Sequence, residues 1–289
     1  MIPAAFEYAR PTSLEEALRL LRDREGEAKV LAGGFSLIPL LRYRLAQPGI
    51  LVDIGGVDGL VYIREQAGEI RIGGRTTHRA IETSPLIRGV SGLWSDAAGG
   101  IGDPQVRNWG TIGGSVSHAD PASDWPAVLL ASRGSVVVRD LERERVIAAR
   151  GFFLDTFVSA IEPTEILVEI RFPVPPARTG GAYEKLERKA GDFATAAAAV
   201  QVTLGGDGTI TAAGVALSAV AETPIAIEDA EAALAGARPG AEAEATLRDA
   251  CATGCRPVRD SHGPVDYKRA MAGEMAVRAF RRALARASA

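Results

Sequence analysis

The 289-residue sequence predicts an α+β protein, and three observations carry that expectation. A short apolar strand, a glycine pair and a helix start follow one another near the N-terminus. Paired short strands fill the middle. After Pro173-Val174-Pro175-Pro176, three strands precede three helices. A chain of this length can bury a sizeable core and suits more than one domain. The proline-rich break divides it into residues 1–175, with subdomains of about 1–56 and 57–175, and residues 176–289.

The elements follow in order. Thr12-Ser13-Leu14-Glu15-Glu16 is a capping-box pattern, and Leu14, Ala17, Leu18 and Leu21 share one face of the helix it opens. Residues 28–31 read as a buried strand running into Ala32-Gly33-Gly34-Phe35-Ser36-Leu37. Ser36 is placed to N-cap the helix that continues through Pro39, which a first turn tolerates. With a strand at 50–54, this portion predicts a small β-α-β-α-β unit. Residues 60–63 and 69–72 predict strands around Ala67-Gly68. Thr76 or Thr77 would cap a helix at 78–83, and 85–98 reads as one further helix. The run Gly99-Gly100-Ile101-Gly102-Asp103-Pro104 is too rich in glycine for regular structure. A helix at 125–132 and strands at 135–138, 146–148 and 165–172 complete this portion. Beyond the break, strands at 182–188, 195–204 and 210–217 predict an antiparallel meander with a hairpin at Gly205-Gly206-Asp207-Gly208. Helices are expected at 227–234, 241–253 and 266–287.

Composition narrows the function classes. Hydrophobic residues make up 47% and charged residues 24%, as in an ordinary globular protein, and a net charge of -3 gives no reason to expect nucleic acid. The run Arg278, Arg281, Arg282 and Arg286 suits a solvated helix face or a protein contact better than a phosphate backbone. Cys251 and Cys255 are too few for an iron–sulfur cluster or a structural zinc site, and His78, His118 and His262 lie far apart. The start lacks a basic segment followed by an apolar one, and no run is long enough to cross a membrane. A cytoplasmic protein is expected.

The chemistry concentrates in two glycine stretches. Gly33-Gly34 has no Cβ, can adopt positive φ, and leads into a helix N-terminus. Exposed amides and partial positive charge there suit an anion. Alone, this pair reads better as a simple strand-to-helix turn. Thr111-Ile112-Gly113-Gly114-Ser115 repeats the chemistry, and two such cradles suit a diphosphate gripped from both sides. No GxxxxGK[ST] is present. Gly100-Ile101-Gly102 has Gln105 where a Rossmann fingerprint needs a third glycine.

Together, Ala32 to Leu37 and Thr111 to Ser115 resemble the FAD-binding medium subunit of the molybdenum hydroxylases, the family of aerobic carbon monoxide dehydrogenase and the flavin domain of xanthine dehydrogenase. Gly102 to Asn108, Ala119 to Asp124, Glu165 to Leu167 and Lys185 to Asp192 extend the likeness in order along nearly the whole chain. The resemblance implies a two-subdomain FAD-binding fold of the vanillyl-alcohol oxidase type, completed by a C-terminal α+β domain with an antiparallel sheet. It implies that Ala32, Gly33, Gly34, Phe35, Ser36 and Leu37, with Thr111, Gly113, Gly114 and Ser115, wrap the pyrophosphate and ribityl chain. Ile101 and Leu167 would line the cofactor, Asp124 would accept from a cofactor hydroxyl or adenine amine, Lys185 would approach the flavin ring, and Phe193 would cover it. From the residues themselves, Asp124 suits an N-cap equally well, Lys185 on an alternating strand reads as solvent-facing, and Phe193 reads as core. Phe35 departs from a slot often polar in relatives and is read as a backbone contributor.

The function so implied is the flavin subunit of a multi-subunit oxidoreductase. A large molybdenum subunit and a small iron–sulfur subunit would complete a dimer of heterotrimers, with the molybdenum cofactor and clusters held outside this chain. A stand-alone flavin oxidoreductase of the same fold and a non-catalytic nucleotide-binding module are the alternatives.

Overall fold

A computed structural model describes residues 2–289. The N-terminal unit comprises β1 (Glu7–Ala9), α1 (Leu14–Asp23), β2 (Ala28–Leu31), α2 (Leu37–Arg42) and β3 (Ile50–Asp53). Its three strands pair in parallel in the order β1-β3-β2. The capping box forms as the sequence indicates: Ser13 Oγ accepts from the Glu16 N–H, and Glu16 Oε2 accepts from the Thr12 N–H at 2.9 Å. The apolar face of α1 then buries Ala17, Leu18 and Leu21 against Val52 and Ile54.

A five-stranded antiparallel sheet follows, built from β4 (Ile63–Gln66), β5 (Glu69–Gly73), and, after six helices, β6 (Ser135–Arg139), β7 (Glu144–Ala148) and β10 (Ile166–Pro173). Its order is β4-β5-β10-β6-β7. β4 starts at Ile63, not at Leu60, because Val57 and Leu60 are spent on the core beneath α1. The intervening helices are α3 (His78–Thr83), α4 (Pro85–Val90), α5 (Gly92–Gly100), α6 (Pro104–Trp109), α7 (Ile112–His118) and α8 (Asp124–Ala131). The single helix expected over 85–98 is two. Ser91 is extended at φ -152 and separates α4 from α5, with Gly89 and Gly92 weakening a continuous helix on either side. The hairpin β8 (Phe153–Asp155) and β9 (Val158–Ser159) projects between β7 and β10.

The C-terminal part holds β11 (Thr179–Leu186), β12 (Ala196–Leu204), β13 (Ile210–Ser218) and β14 (Ile225–Ala226) in one antiparallel sheet, followed by α9 (Glu228–Leu234), α10 (Ala241–Gly254) and α11 (Val265–Ala287). Both faces of this sheet are covered. Ala182, Ala196, Ala198 and Val200 face α11 through Ala276 and Phe280. Tyr183, Ala197 and Ala199 face Trp94 of α5 and Trp125 of α8. Strand alternation therefore assigns residues to two cores, leaving no solvent face for the odd-numbered positions of β11.

Candidate functional site

The two glycine stretches meet. Gly33 packs on the Trp109 carbonyl and the Gly110 Cα, so closely that a methyl at Gly33 would overlap that carbonyl oxygen. A methyl at Gly114 would lie 3.9 Å from Ala32 Cβ. Among the described residues, the amides of Gly33, Gly34, Phe35, Ser36 and Leu37 donate to no acceptor within the protein. Five bare donors in succession suit an anion, because Gly33 and Gly34 put no side chain over them. Gly34 has φ +83, the left-handed value open to glycine. Ser36 is not a side-chain cap: its backbone is already helical and its hydroxyl makes no capping bond, so α2 opens on amides alone.

The second stretch is built differently from the cradle the sequence suggests. It is the first turn of α7, capped by Thr111 Oγ1, which accepts from the Gly114 N–H at 3.1 Å. Ile112, Gly113 and Ser115 donate to the carbonyls of Thr76, Gly74 and Thr111. None of these amides is left for a phosphate. Positive φ is not what its glycines provide; Gly113 is there for close approach, since a methyl on it would overlap the Gly74 carbonyl. Gly74 in turn packs on the Leu167 carbonyl, where β10 has an irregular register. Leu167 is buried, one layer behind Gly113. What α7 presents outward is exposed Gly114 and the hydroxyl of Ser115, 2.8 Å from Ser123 Oγ.

From Ser123 the polar track continues to Asp124, Lys185 and Ile101. Asp124 is not an N-cap. Ser123 precedes the helix, Asp124 is its first helical residue, and its carboxylate accepts from Tyr183 Oη at 2.8 Å and lies 3.3 Å from Lys185 Nζ. Burial pushes the Asp124 carboxyl up from the ordinary aspartate range, against the pull of Lys185 and Tyr183. The Tyr183 hydroxyl is raised well above its usual value by burial and the neighbouring carboxylate. Lys185 is not solvent-facing: its side chain is 7% exposed, and it also bonds the Gly100 carbonyl at 2.6 Å and approaches Glu187 at 3.2 Å. The ammonium thus caps the C-terminal end of α5, where carbonyls lack intrahelical partners. Ile101 follows immediately, its carbonyl held by Arg107 at 3.0 Å. Phe193 is half-exposed and not core, and Phe35 and Trp109 are exposed as well.

Sequence reasoning missed Tyr183, Ser123 and Gly74. Tyr183 lies two residues before Lys185 on one strand, so period-two alternation places both on one face. Gly73-Gly74 is another glycine pair, visible in the sequence and unassigned. His78 is buried and neutral. Burial, with Arg107 adding to it, pushes it down to about 4, and its Nδ1 accepts from Trp125 Nε1 at 3.0 Å behind Gly110. No group of three or more His, Cys, Asp or Glu side chains could hold a metal among the described residues.

Residues 4–175 match the family described as FAD binding domain in molybdopterin dehydrogenase, and residues 181–283 match the CO dehydrogenase flavoprotein C-terminal domain. The chain belongs to the molybdopterin dehydrogenase FAD-binding family. It is 42% identical to the carbon monoxide dehydrogenase medium chain of Hydrogenophaga pseudoflava, covering 99% of both chains. It is 39% identical to the 6-hydroxypseudooxynicotine dehydrogenase complex subunit alpha of Paenarthrobacter nicotinovorans, over 99% of this chain and 97% of that one. Its fold superposes on a chain of carbon monoxide dehydrogenase from Hydrogenophaga pseudoflava with a TM-score of 0.96 at 44% identity, over 99% of each. Membership makes the chain part of an oxidoreductase family with FAD as its cofactor. The flavoprotein residues fit that group: bare amides suit a diphosphate, and a hydroxyl-and-carboxylate track leads from them to a buried cation. No helix among the described residues is long and apolar enough to cross a membrane.

Proposed function

We propose that this chain is the flavin subunit of a molybdenum-containing hydroxylase or dehydrogenase. It would accept electrons from iron–sulfur clusters in a small partner subunit, fed by a large molybdenum subunit, and pass them to an external acceptor from the cytoplasm. The observation that carries the reading is the run of bare amides at Gly33–Leu37 packed beside α7, whose Ser115 is followed through Ser123 by the Asp124–Lys185 pair. The full-length likeness to the medium chain of a carbon monoxide dehydrogenase supports the same assignment.

Within residues 1–175, the amides of Gly33 to Leu37 would hold the FAD diphosphate, with Ala32 and Gly114 forming the seam beside it. Thr111 and Gly113 serve by fixing α7, and Ser115 and Asp124 offer acceptors to cofactor hydroxyls. Residues 176–289 would contribute Lys185 and Phe193 opposite Ile101, with Leu167 supporting from behind. When bound, FAD supplies the exchange between one- and two-electron transfer. A cation beside its ring would favour the reduced, anionic form. This chain's other task is shielding, which Phe35, Trp109 and Phe193 can perform at the exposed edge.

Purification from its native host tests the proposal. Flavin absorbance with one FAD per chain, and co-purification with a cysteine-rich small chain and a molybdenum-containing large chain, is the expected result. A chain with flavin but no partners would instead indicate a self-contained flavin oxidoreductase. A colourless chain unable to take up FAD would leave a nucleotide-binding module and defeat the proposal.

A further inference from the structure

Both walls of the proposed flavin site are tied to one short segment, Gly74 to His78. Its backbone runs antiparallel to residues 110–113. The Gly113 N–H donates to the Gly74 carbonyl at 2.9 Å, the Ile112 N–H to the Thr76 carbonyl at 3.0 Å and the His78 N–H to the Gly110 carbonyl at 3.0 Å, with Thr77 bridged to Thr111. This ladder fixes α7. Within the same segment, Arg75 bonds the N-terminal unit instead: Nη1 donates to the Val57 carbonyl at 2.6 Å and Nη2 to the Gly55 carbonyl at 2.7 Å. We propose that Arg75 is a positioning residue for FAD, which holds the N-terminal unit in register with α7 and so sets the gap between Gly33–Leu37 and the second glycine stretch. The proposal rests on the flavin reading above.

Gly55 belongs to the turn Ile54–Gly56, which continues directly from β3 and is closed by Asp53 Oδ1 accepting from the Gly55 N–H at 2.7 Å. Asp53 is the register partner of Leu31 at the end of β2, and Ala32 and Gly33 follow at once. The contacts therefore close a circuit. It runs from the bare amides through β2, β3, the turn and Arg75 to residues 74–78, then through residues 110–113 and the Trp109 carbonyl back to Gly33. Arg75 supplies its side-chain link; the others are backbone.

The segment is itself anchored. The Gly74 N–H donates to the Val168 carbonyl and the Arg75 N–H to the Leu60 carbonyl, both at 2.8 Å. The main chain thus holds the connection at Leu60, and the guanidinium extends that hold back to Val57 and Gly55, beside β3. Val57 and Leu60 also share an apolar core with Val137, Ile166 and Val168, but apolar burial is non-directional and fixes contact rather than register. A planar fork on two carbonyls is directional and charge-assisted. Register matters at the far end of the circuit, where a methyl on Gly33 would overlap the Trp109 carbonyl and no slack remains.

The test uses the protein as purified from its host, stripped of flavin and reloaded by titration with FAD. Wild type that takes up no FAD overturns the flavin reading and this proposal together. Where wild type binds, Arg75→Met, which keeps much of the stem and removes the donors, should bind FAD about ten- to hundredfold more weakly. Arg75→Lys keeps the charge but offers one nitrogen to two carbonyls, and should recover only part of the loss. The visible circular dichroism of the bound cofactor, taken per flavin at saturation, should differ from wild type in both variants, a change that lost stability alone would not produce. Flavin-free melting temperature is recorded for each variant, and if Arg75→Met does not fold, Arg75→Lys carries both readouts. Wild-type affinity in either variant overturns the proposal; in Arg75→Lys it would leave only a distant charge. Per-flavin dichroism unchanged from wild type overturns it as well, because the gap would not have moved.

Discussion

A single hydrogen decides whether the two glycine stretches can meet. Gly33 has no methyl, so the Trp109 carbonyl can lie against its Cα, and this seam holds the bare amides next to α7. Gly33→Val forces the seam apart; overpacking of this kind costs about 1–3 kcal/mol, or about five- to 150-fold in FAD affinity if all of it falls on binding. The ratio of flavin to protein absorbance after gel filtration measures it, and stoichiometric flavin in the variant would remove the seam from the account. His78 gives a pH-dependent prediction. Its folded value of about 4 lies below the ordinary 6.5, so between these limits the unfolded chain takes up a proton that the folded chain refuses. Stability is therefore full above pH 6.5, falls as pH drops toward 4, and loses about 3 kcal/mol in that window. Urea midpoints for wild type and His78→Gln across pH 4–7 should show the shallower slope in the variant. At this scale the sequence showed where the backbone was bare. It did not distinguish amides left open at Gly33–Leu37 from amides already paired at Ile112–Ser115, because that depends on Gly74 and Thr76, nearly forty residues away.

Elements were legible where their own residues determine them. The cap and apolar stripe of α1, the meander of β11–β13 and the long α11 all follow from local pattern. The exceptions have non-local causes: β4 begins late because Leu60 serves another core, and Lys185 is buried because a second helical layer covers the face it occupies. Alternation gave Lys185 a face but not what lay against it. Helix α7 offers a test of its own. Thr111 is buried and its Oγ1 satisfies the Gly114 N–H, so Thr111→Val retains the shape and loses the cap. The expected destabilisation is about 1 kcal/mol, with Thr111→Ser close to wild type in chemical unfolding. Equal stability of Thr111→Val and wild type would show that Gly114 does not depend on that oxygen.

Across the whole molecule, the site exists only because the C-terminal sheet is docked on the helices of residues 78–131. Gly214 permits this docking: a methyl there would overlap the Ala131 carbonyl at the end of α8. The same docking carries Tyr183 and Lys185 onto Asp124, forming an ion pair that joins the two parts of the chain with side chains only 7% and 12% exposed. Removing one partner of a buried pair leaves an uncompensated charge and costs about 3–5 kcal/mol, whereas removing both is far less harmful. Lys185→Met should accordingly unfold at much lower urea than wild type, and Asp124→Asn combined with Lys185→Met should recover most of the loss. The coupling read from this double-mutant cycle distinguishes a pair that joins the two parts from two residues that merely fill space. If the double variant is no more stable than Lys185→Met alone, the loss comes from packing around the lysine stem, and the electrostatic link across the junction is disproved.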